Sequence, residues 1–237
     1  MNILSIDTSC SILSFAVKAG SSIISKEYAI LDKLSVNLLS FYDEFMAENS
    51  IDLDRDIDLI LLGTGPGSFT SLRVGFIFAK MLSYVCEKPI YCIKSMFGLT
   101  YNALRNNPDF CGRNLITALD AGRNELFYCI TRFESVSEFI EPADLIILKD
   151  VCLISRVKFK ELDFLHDDII LTDTPAMGEI LKNRGLTAIE AKSGGRAESM
   201  IHLYKTARKS ENILLLEPDY IRKSDAEANL ERRGLSL

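Results

Sequence analysis

Apolar residues open the chain in three short runs, Ile3 to Ile6, Ile12 to Lys18 and Ile23 to Ile30, with Ala19-Gly20-Ser21 between the second and third. Runs of this length bounded by turn residues predict strands, the last two as a hairpin. From Leu31 to Glu48 the apolar positions take helical spacing, and Asp58-Leu59-Ile60-Leu61-Leu62 is a nearly continuous run that reads as a buried central strand. Thr70 to about Cys86 is helical again, and Pro89-Ile90-Tyr91-Cys92-Ile93 supplies a fifth strand.

Three strands, a helix, a strand, a helix and a strand is the order of a ribonuclease H-like domain. The turn-forming cluster Asn106-Asn107-Pro108-Asp109 then marks a boundary, so we expect two domains, 1–105 and 106–237, each a mixed sheet flanked by helices. In the second, the pattern predicts strands at Leu115 to Leu119, Leu126 to Arg132 and Ile169 to Thr172. Helices are predicted at Pro175 to Lys182 and at Ala197 to Lys209, the latter entered through Ser193-Gly194-Gly195. The stretch from Glu134 to Asp168 has no readable period. The tail from about 211 is expected to pack back on the first domain and then fray towards Glu231-Arg232-Arg233-Gly234.

Composition narrows the function classes. Hydrophobic residues are 48% and charged residues 25% of the chain, which fits a folded globular protein. The net charge of −6 gives no basic face for independent nucleic-acid binding, so any nucleic acid would be handled mainly by a partner. Six cysteines at 10, 86, 92, 111, 129 and 152 form no CxxC pair, and they read as small buried hydrophobes. The start Met1-Asn2-Ile3-Leu4-Ser5-Ile6-Asp7 lacks a basic leader, and no apolar stretch approaches the ~20 residues of a membrane span, so a cytoplasmic address is expected.

The stretch Gly63-Thr64-Gly65-Pro66-Gly67-Ser68 between the central strand and its helix carries the strongest chemical suggestion. Its amides and the helix dipole suit an anion at Gly65, Gly67 and Ser68. The same residues also make an ordinary strand-to-helix turn with Ser68 or Thr70 as N-cap. No Gly-Lys-Ser/Thr follows, so it is not a Walker A loop. Asp7 and Thr8 end the first strand, where a carboxylate and hydroxyl could face a phosphate or its magnesium, and Asp120 could answer them from the second half. An Asx turn accounts for each equally well. The helix from Thr70 is apolar almost all round, and the helix from Leu31 has a wide apolar arc. Deep burial and a protein interface both explain such helices. His166 and His202 lack ligand spacing to another His, Cys or paired carboxylate, so a His-based metal centre is not expected, and no GxSxG or HExxH motif occurs.

Ile3-Leu4-Ser5-Ile6-Asp7-Thr8-Ser9, then Gly65-Pro66-Gly67-Ser68-Phe69-Thr70-Ser71-Leu72-Arg73-Val74-Gly75, then Leu119-Asp120-Ala121-Gly122-Arg123-Asn124-Glu125-Leu126-Phe127-Tyr128, resemble the TsaB (YeaZ) family. Gly195-Arg196-Ala197-Glu198 and Glu217-Pro218-Asp219-Tyr220-Ile221-Arg222 extend the resemblance over most of the chain. It implies an actin-like ATPase fold and a non-catalytic subunit of the machinery that installs N6-threonylcarbamoyladenosine at tRNA position 37. The implied partners are a TsaD-like transferase, a TsaE-like ATPase through the complex, a TsaC-like synthase in the pathway, and tRNA indirectly. Pairing through the first-domain helices would use Leu38, Tyr42, Phe45, Phe69, Arg73, Phe76, Ile77, Lys80 and Tyr84, and an isolated chain is expected to homodimerise through the same patch. No intrinsic cofactor is implied, although ATP or ADP with magnesium at the partner boundary is compatible. Where the transferase carries the metal-binding segment His-Met-Glu-Gly-His, this chain reads Ser95-Met96-Phe97-Gly98-Leu99, without the ligands. Two departures stand out: Ser71 replaces the family's usual glycine, and Leu34 a histidine common in its first helix motif.

Two function classes follow from these residues. One is the scaffolding subunit just described. The other is an independent ATPase or small-molecule kinase of the same superfamily, with Asp7 and Asp120 around a magnesium nucleotide and Gly194-Gly195 as the sole candidate adenosine loop.

Overall fold

The computed structural model describes residues 1–31, 33–192 and 194–222. Its elements begin with β1 (Ile3–Asp7), β2 (Ile12–Ala19), β3 (Ser22–Ala29), α1 (Leu34–Glu48), α2 (Leu53–Asp56), β4 (Leu59–Gly63), α3 (Phe69–Cys86), β5 (Ile90–Ile93) and α4 (Ser95–Asn106). They continue with β6 (Leu115–Gly122), β7 (Glu125–Phe133), β8 (Leu145–Ser155), α5 (Arg156–Lys160), β9 (Ile169–Thr172), α6 (Pro175–Asn183), β10 (Thr187–Glu190), α7 (Arg196–His202) and β11 (Arg208–Lys209).

The first sheet runs β11-β5-β4-β1-β2-β3 and the second β10-β9-β6-β7-β8. Both are built alike. β1-β2-β3 is antiparallel with β4 and β5 added parallel beyond β1, and β6-β7-β8 is antiparallel with β9 and β10 added parallel beyond β6. The chain thus repeats one topology twice, and the C-terminal ends of the two first strands, at Asp7 and Asp120, occupy corresponding places. The equivalent helices α4 and α7 pack against each other, and Gly98 of α4 lets the backbone of α7 approach at Arg196 and Met200.

Local chemistry sets the elements. β4 is buried at all five positions, as expected of a parallel strand covered on both faces. Ser68 caps α3 by accepting from Ser71 N–H, and Glu87 closes it in the left-handed conformation. Arg123 and Asn124, at φ 53° and 64°, make the two-residue turn joining β6 to β7; positive φ at both central residues matches the right-handed twist of a hairpin. One apolar core lies between α1, α3 and the first sheet. A second is continuous from Ile3 and Leu61 through Tyr101 to Leu115 and Phe133, so the boundary near residue 105 falls at the end of a helix embedded in shared core.

Three expectations differ from the structure. The predicted helix from Ala197 to Lys209 ends at His202, where a 3-10 turn over Tyr204–Thr206 redirects the chain to pair β11 with β5. The unreadable stretch from Glu134 holds β8, an edge strand without clean alternation of burial, and α5. The region after Asn106 does not start a wholly separate core. The end of the tail, beyond 222, lies outside the described residues, as does Ser193.

Candidate functional site

A cleft of about 740 Å³ opens between the two sheets at the C-terminal ends of β1 and β6. Its first wall is Ser9, Cys10, Gly67, Ser68 and Phe69; its second is Leu119, Asp120, Ala121, Phe127 and Asp173; Arg196 lines it too, and residues 219–222 close it. Of the sequence candidates for anion binding, Gly67, Ser68 and Asp120 face this space, whereas Asp7, Thr8 and Gly65 do not line it.

Asp7 is fully buried. Its Oδ1 accepts from Ser9 N–H at 3.1 Å and from Ser9 Oγ at 2.7 Å, while Oδ2 sits against Gly63, beside Ser95. Arg196, 4% exposed, donates from Nη1 to Ser9 Oγ at 2.6 Å, so the guanidinium and the carboxylate share one hydroxyl between them. The shared hydroxyl joins two buried opposite charges only in part, because Asp7 Oδ2 and Arg196 Nε remain buried without a hydrogen-bond partner. Thr8 packs under Gly75, where a Cβ would overlap Thr8 Oγ1; this is how β1 and α3 come close.

Three amides in and just after the glycine-rich loop are donated within the protein. Ser68 N–H reaches Ser9 O at 2.9 Å, Gly65 N–H reaches Ser95 Oγ at 3.0 Å, and Ser71 N–H goes to Ser68 Oγ. A Cβ at Gly67 would overlap the carbonyl oxygen of Ser9, so that glycine permits close backbone packing. Asp120 is tied to Arg156 at 2.8 Å and accepts Gly122 N–H at 2.9 Å. Partial burial works to raise its pKa, but these hydrogen bonds outweigh it and hold the carboxyl below the usual carboxylate range. Gly194 and Gly195 face the Glu27 carboxylate, which accepts Gly195 N–H at the start of α7.

The nine candidate interface residues divide sharply. Leu38, Tyr42, Phe45 and Phe76 are core residues, a correction to the reading of a spare apolar arc. Phe15 of β2 explains it: its ring stacks on Phe45 at 5.7 Å and meets Tyr42 edge-on at 6.0 Å, while Tyr42 meets Phe78 at 5.1 Å. Phe69 and Arg73 are engaged by the C-terminal segment: Tyr220 lies 4.6 Å from Phe69, and Arg73 stacks over Phe69 at 4.1 Å and donates from Nε to Tyr220 Oη at 3.0 Å. Lys80 donates to Leu214 O at 3.1 Å. Ile77 and Tyr84 remain on the surface, 68% and 75% exposed, and Met81 and Val85 join them at helical spacing. Leu39 of α1 and Leu214 and Leu215 extend the apolar surface beside this stripe.

The Ser95–Leu99 segment forms the buried first turn of α4, and its serine hydroxyl is the acceptor for Gly65 N–H. No cluster of three His, Cys, Asp or Glu side chains suited to a metal occurs among the described residues. α3 is long and apolar enough for a membrane segment by composition, but Leu72, Phe76, Ala79 and Leu82 are packed in the core. Sequence reasoning singled out neither Arg196 nor the 219–222 segment as cleft residues. Both lie in stretches that carry the family resemblance, 195–198 and 217–222, but nothing in the sequence shows that these stretches meet at one cleft.

A family model described as TsaD, tRNA N6-adenosine threonylcarbamoyltransferase, matches residues 30–161, more than half of the chain. The Bacillus subtilis tRNA threonylcarbamoyladenosine biosynthesis protein TsaB is 27% identical over 232 residues, covering 96% of this chain and 97% of its own. The chain belongs to the TsaB (YeaZ) family. Transferases align with this TsaB-family chain over about half its length, as does that of Kosmotoga olearia, 29% identical over 53% of this chain and 43% of the transferase. Among solved structures, YeaZ from Pseudomonas aeruginosa superposes with a TM-score of 0.72 at 17% identity, covering 92% of this chain and all of that one. A second Pseudomonas aeruginosa structure, described as similar to peptidase YEAZ, gives 0.76 at 16%, covering 93% of this chain and 99% of that one. Both have the TsaB-family fold seen here.

Proposed function

We propose that this chain is the accessory subunit that pairs with a TsaD-like transferase in forming N6-threonylcarbamoyladenosine at position 37 of tRNA. The observation that carries the proposal is the exposed stripe Ile77, Met81, Tyr84 and Val85 on a helix whose other faces are packed. Burying one such large apolar side chain contributes roughly 1.5–3 kcal/mol, and part of the sum is spent on the cost of association. The transferase family model matches residues 30–161, a span that includes α3, so a partner of that kind carries a comparable helix and can meet this stripe about a pseudo-two-fold axis. Without that partner, two copies would cover the stripe with each other.

The non-catalytic assignment is supported by Ser95 and Leu99, which stand where the transferase has histidines and cannot hold a metal. Several groups of a nucleotide site are taken up internally: Asp7 Oδ1 is held by Ser9, the amides of Gly65, Ser68 and Ser71 are donated within the protein, and Glu27 occupies the Gly194-Gly195 turn, while Asp7 Oδ2 keeps no partner. Nucleotide with magnesium, a TsaE-like ATPase and tRNA therefore enter through the assembled complex, in the cytoplasm. Reconstitution tests the function: modified tRNA should form when the transferase of the same cell, a TsaC-like synthase and a TsaE-like ATPase are combined with this chain. Omitting it, or supplying Ile77→Asp, should abolish the product. Full product formation without this chain would refute the proposal.

A further inference from the structure

The segment 214–222 touches three separate parts of the molecule. At its start, Leu214 O accepts from Lys80 on the outer face of α3. In its middle, Asp219 N–H donates to Thr64 O at 3.0 Å, Asp219 Oδ2 accepts from Thr64 Oγ1 at 2.5 Å, and Tyr220 stacks on Phe69. At its end, Arg222 Nη1 donates to Ala121 O, in the second sheet beside Asp120. Thr64 and Phe69 flank the glycine-rich loop of the first sheet, whereas Ala121 belongs to β6. The segment therefore bridges the two halves across the mouth of the cleft.

It also lies between two spaces. Asp219 lines the 740 Å³ cleft in front and a second cavity of about 520 Å³ behind, whose walls include Thr64, Cys92, Lys94, Phe97 and Arg208. The hold on the segment involves no strand ladder. Leu216 and Pro218 are buried and Ile221 packs against the core, and the segment is otherwise held by two hydrogen bonds between Asp219 and Thr64, by Phe69 and Arg73 around Tyr220, and by Arg222 at Ala121. Regions fixed by few buried contacts open most readily in a folded protein.

We propose that residues 216–222 are a strap that latches the two halves together and shuts off the space between them, released as a unit when Asp219 and Arg222 lose their partners. Release joins the front and rear cavities into one groove. Because Leu214, two residues before the strap, is held by Lys80 next to the exposed stripe of α3, a protein seated on that stripe touches the root of the strap. This last consequence rests on the partner reading, whereas the latch itself does not.

The cysteines supply the test within the isolated chain. Cys10 lines the front cavity and Cys92 the rear one, while Cys129 is fully buried in the second half and reports global unfolding. Labelling with a small thiol reagent, read residue by residue by mass spectrometry, should be about tenfold or more faster at Cys10 and Cys92 in Asp219→Ala/Arg222→Ala, with Cys129 unchanged. Arg222→Lys, which keeps one donor for Ala121 O, should label more slowly than Arg222→Ala. Unchanged rates at Cys10 and Cys92, or equal acceleration at Cys129, would overturn the latch. Failure of the partner reading would leave these rates untouched.

Discussion

Gly67 and His202 are single residues whose surroundings dictate the effect of changing them. A Cβ at Gly67 would overlap backbone of Ser9, which cannot rotate away, so Gly67→Ala should lower stability by about 2 kcal/mol in urea denaturation. His202 is buried and its Nδ1 is bonded to Glu138 O; Arg105, Glu198 and Glu138 are the charges facing it. Burial, the largest influence, holds its pKa below 6.5. The unfolded chain therefore takes up a proton before the folded one does, and stability contributed by neutral His202 is present above pH 6.5 and lost as the pH falls below it. Melting temperatures between pH 7 and pH 5 should decline more steeply for the native chain than for His202→Gln. Equal slopes would contradict the assignment. At this scale the candidate site was half legible. Gly67, Ser68 and Asp120 could be named from turn chemistry, but Asp7 could not be seen to lie beneath Ser9, because burial of a strand end depends on which loop crosses it.

α3 shows what a helix pattern can and cannot tell. Its sequence is apolar almost all round, which deep burial and a docking face explain equally well, and the structure separates the residues that are buried from those left exposed. Phe76 and Phe78 go inward to meet α1 and the sheet, and Ile77, Tyr84 and Val85 go out. Ile77→Asp and Tyr84→Asp should change unfolding free energy by no more than about 0.5 kcal/mol. Tyr42→Asp and Phe76→Asp should cost about 3 kcal/mol or more, since each buries an unpaired charge. Chemical denaturation separates the two groups, and similar costs for all four would show that the outward stripe is also structural. α4 escaped the sequence reading because it is wrapped on all sides: all positions from Ser95 to Tyr101 are buried, and no polar face remains to mark a helical period. β8 escaped for the opposite reason, as an edge strand exposed along much of its length.

For the whole molecule, the order of elements in the first half was enough to specify a mixed sheet in which β1 is central. The duplication was not, because the second half hides β8 and β10 among irregular connections and returns β11 to the first sheet. That return crossing, with α4 against α7, makes the two halves share a core and leaves the cleft between their ends. In the cleft Asp7 Oδ1 and Gly195 N–H have partners within the protein, whereas the α3 stripe has no covering element among the described residues, so the account places the partner surface on that outer face. Light scattering during size-exclusion chromatography of this chain mixed with the TsaD-like transferase of the same cell tests that claim most directly. The account predicts a 1:1 complex that Ile77→Asp/Tyr84→Asp abolishes and that Leu165→Asp, at an exposed site in the second half, leaves intact. No complex, or one indifferent to both stripe substitutions, would contradict it.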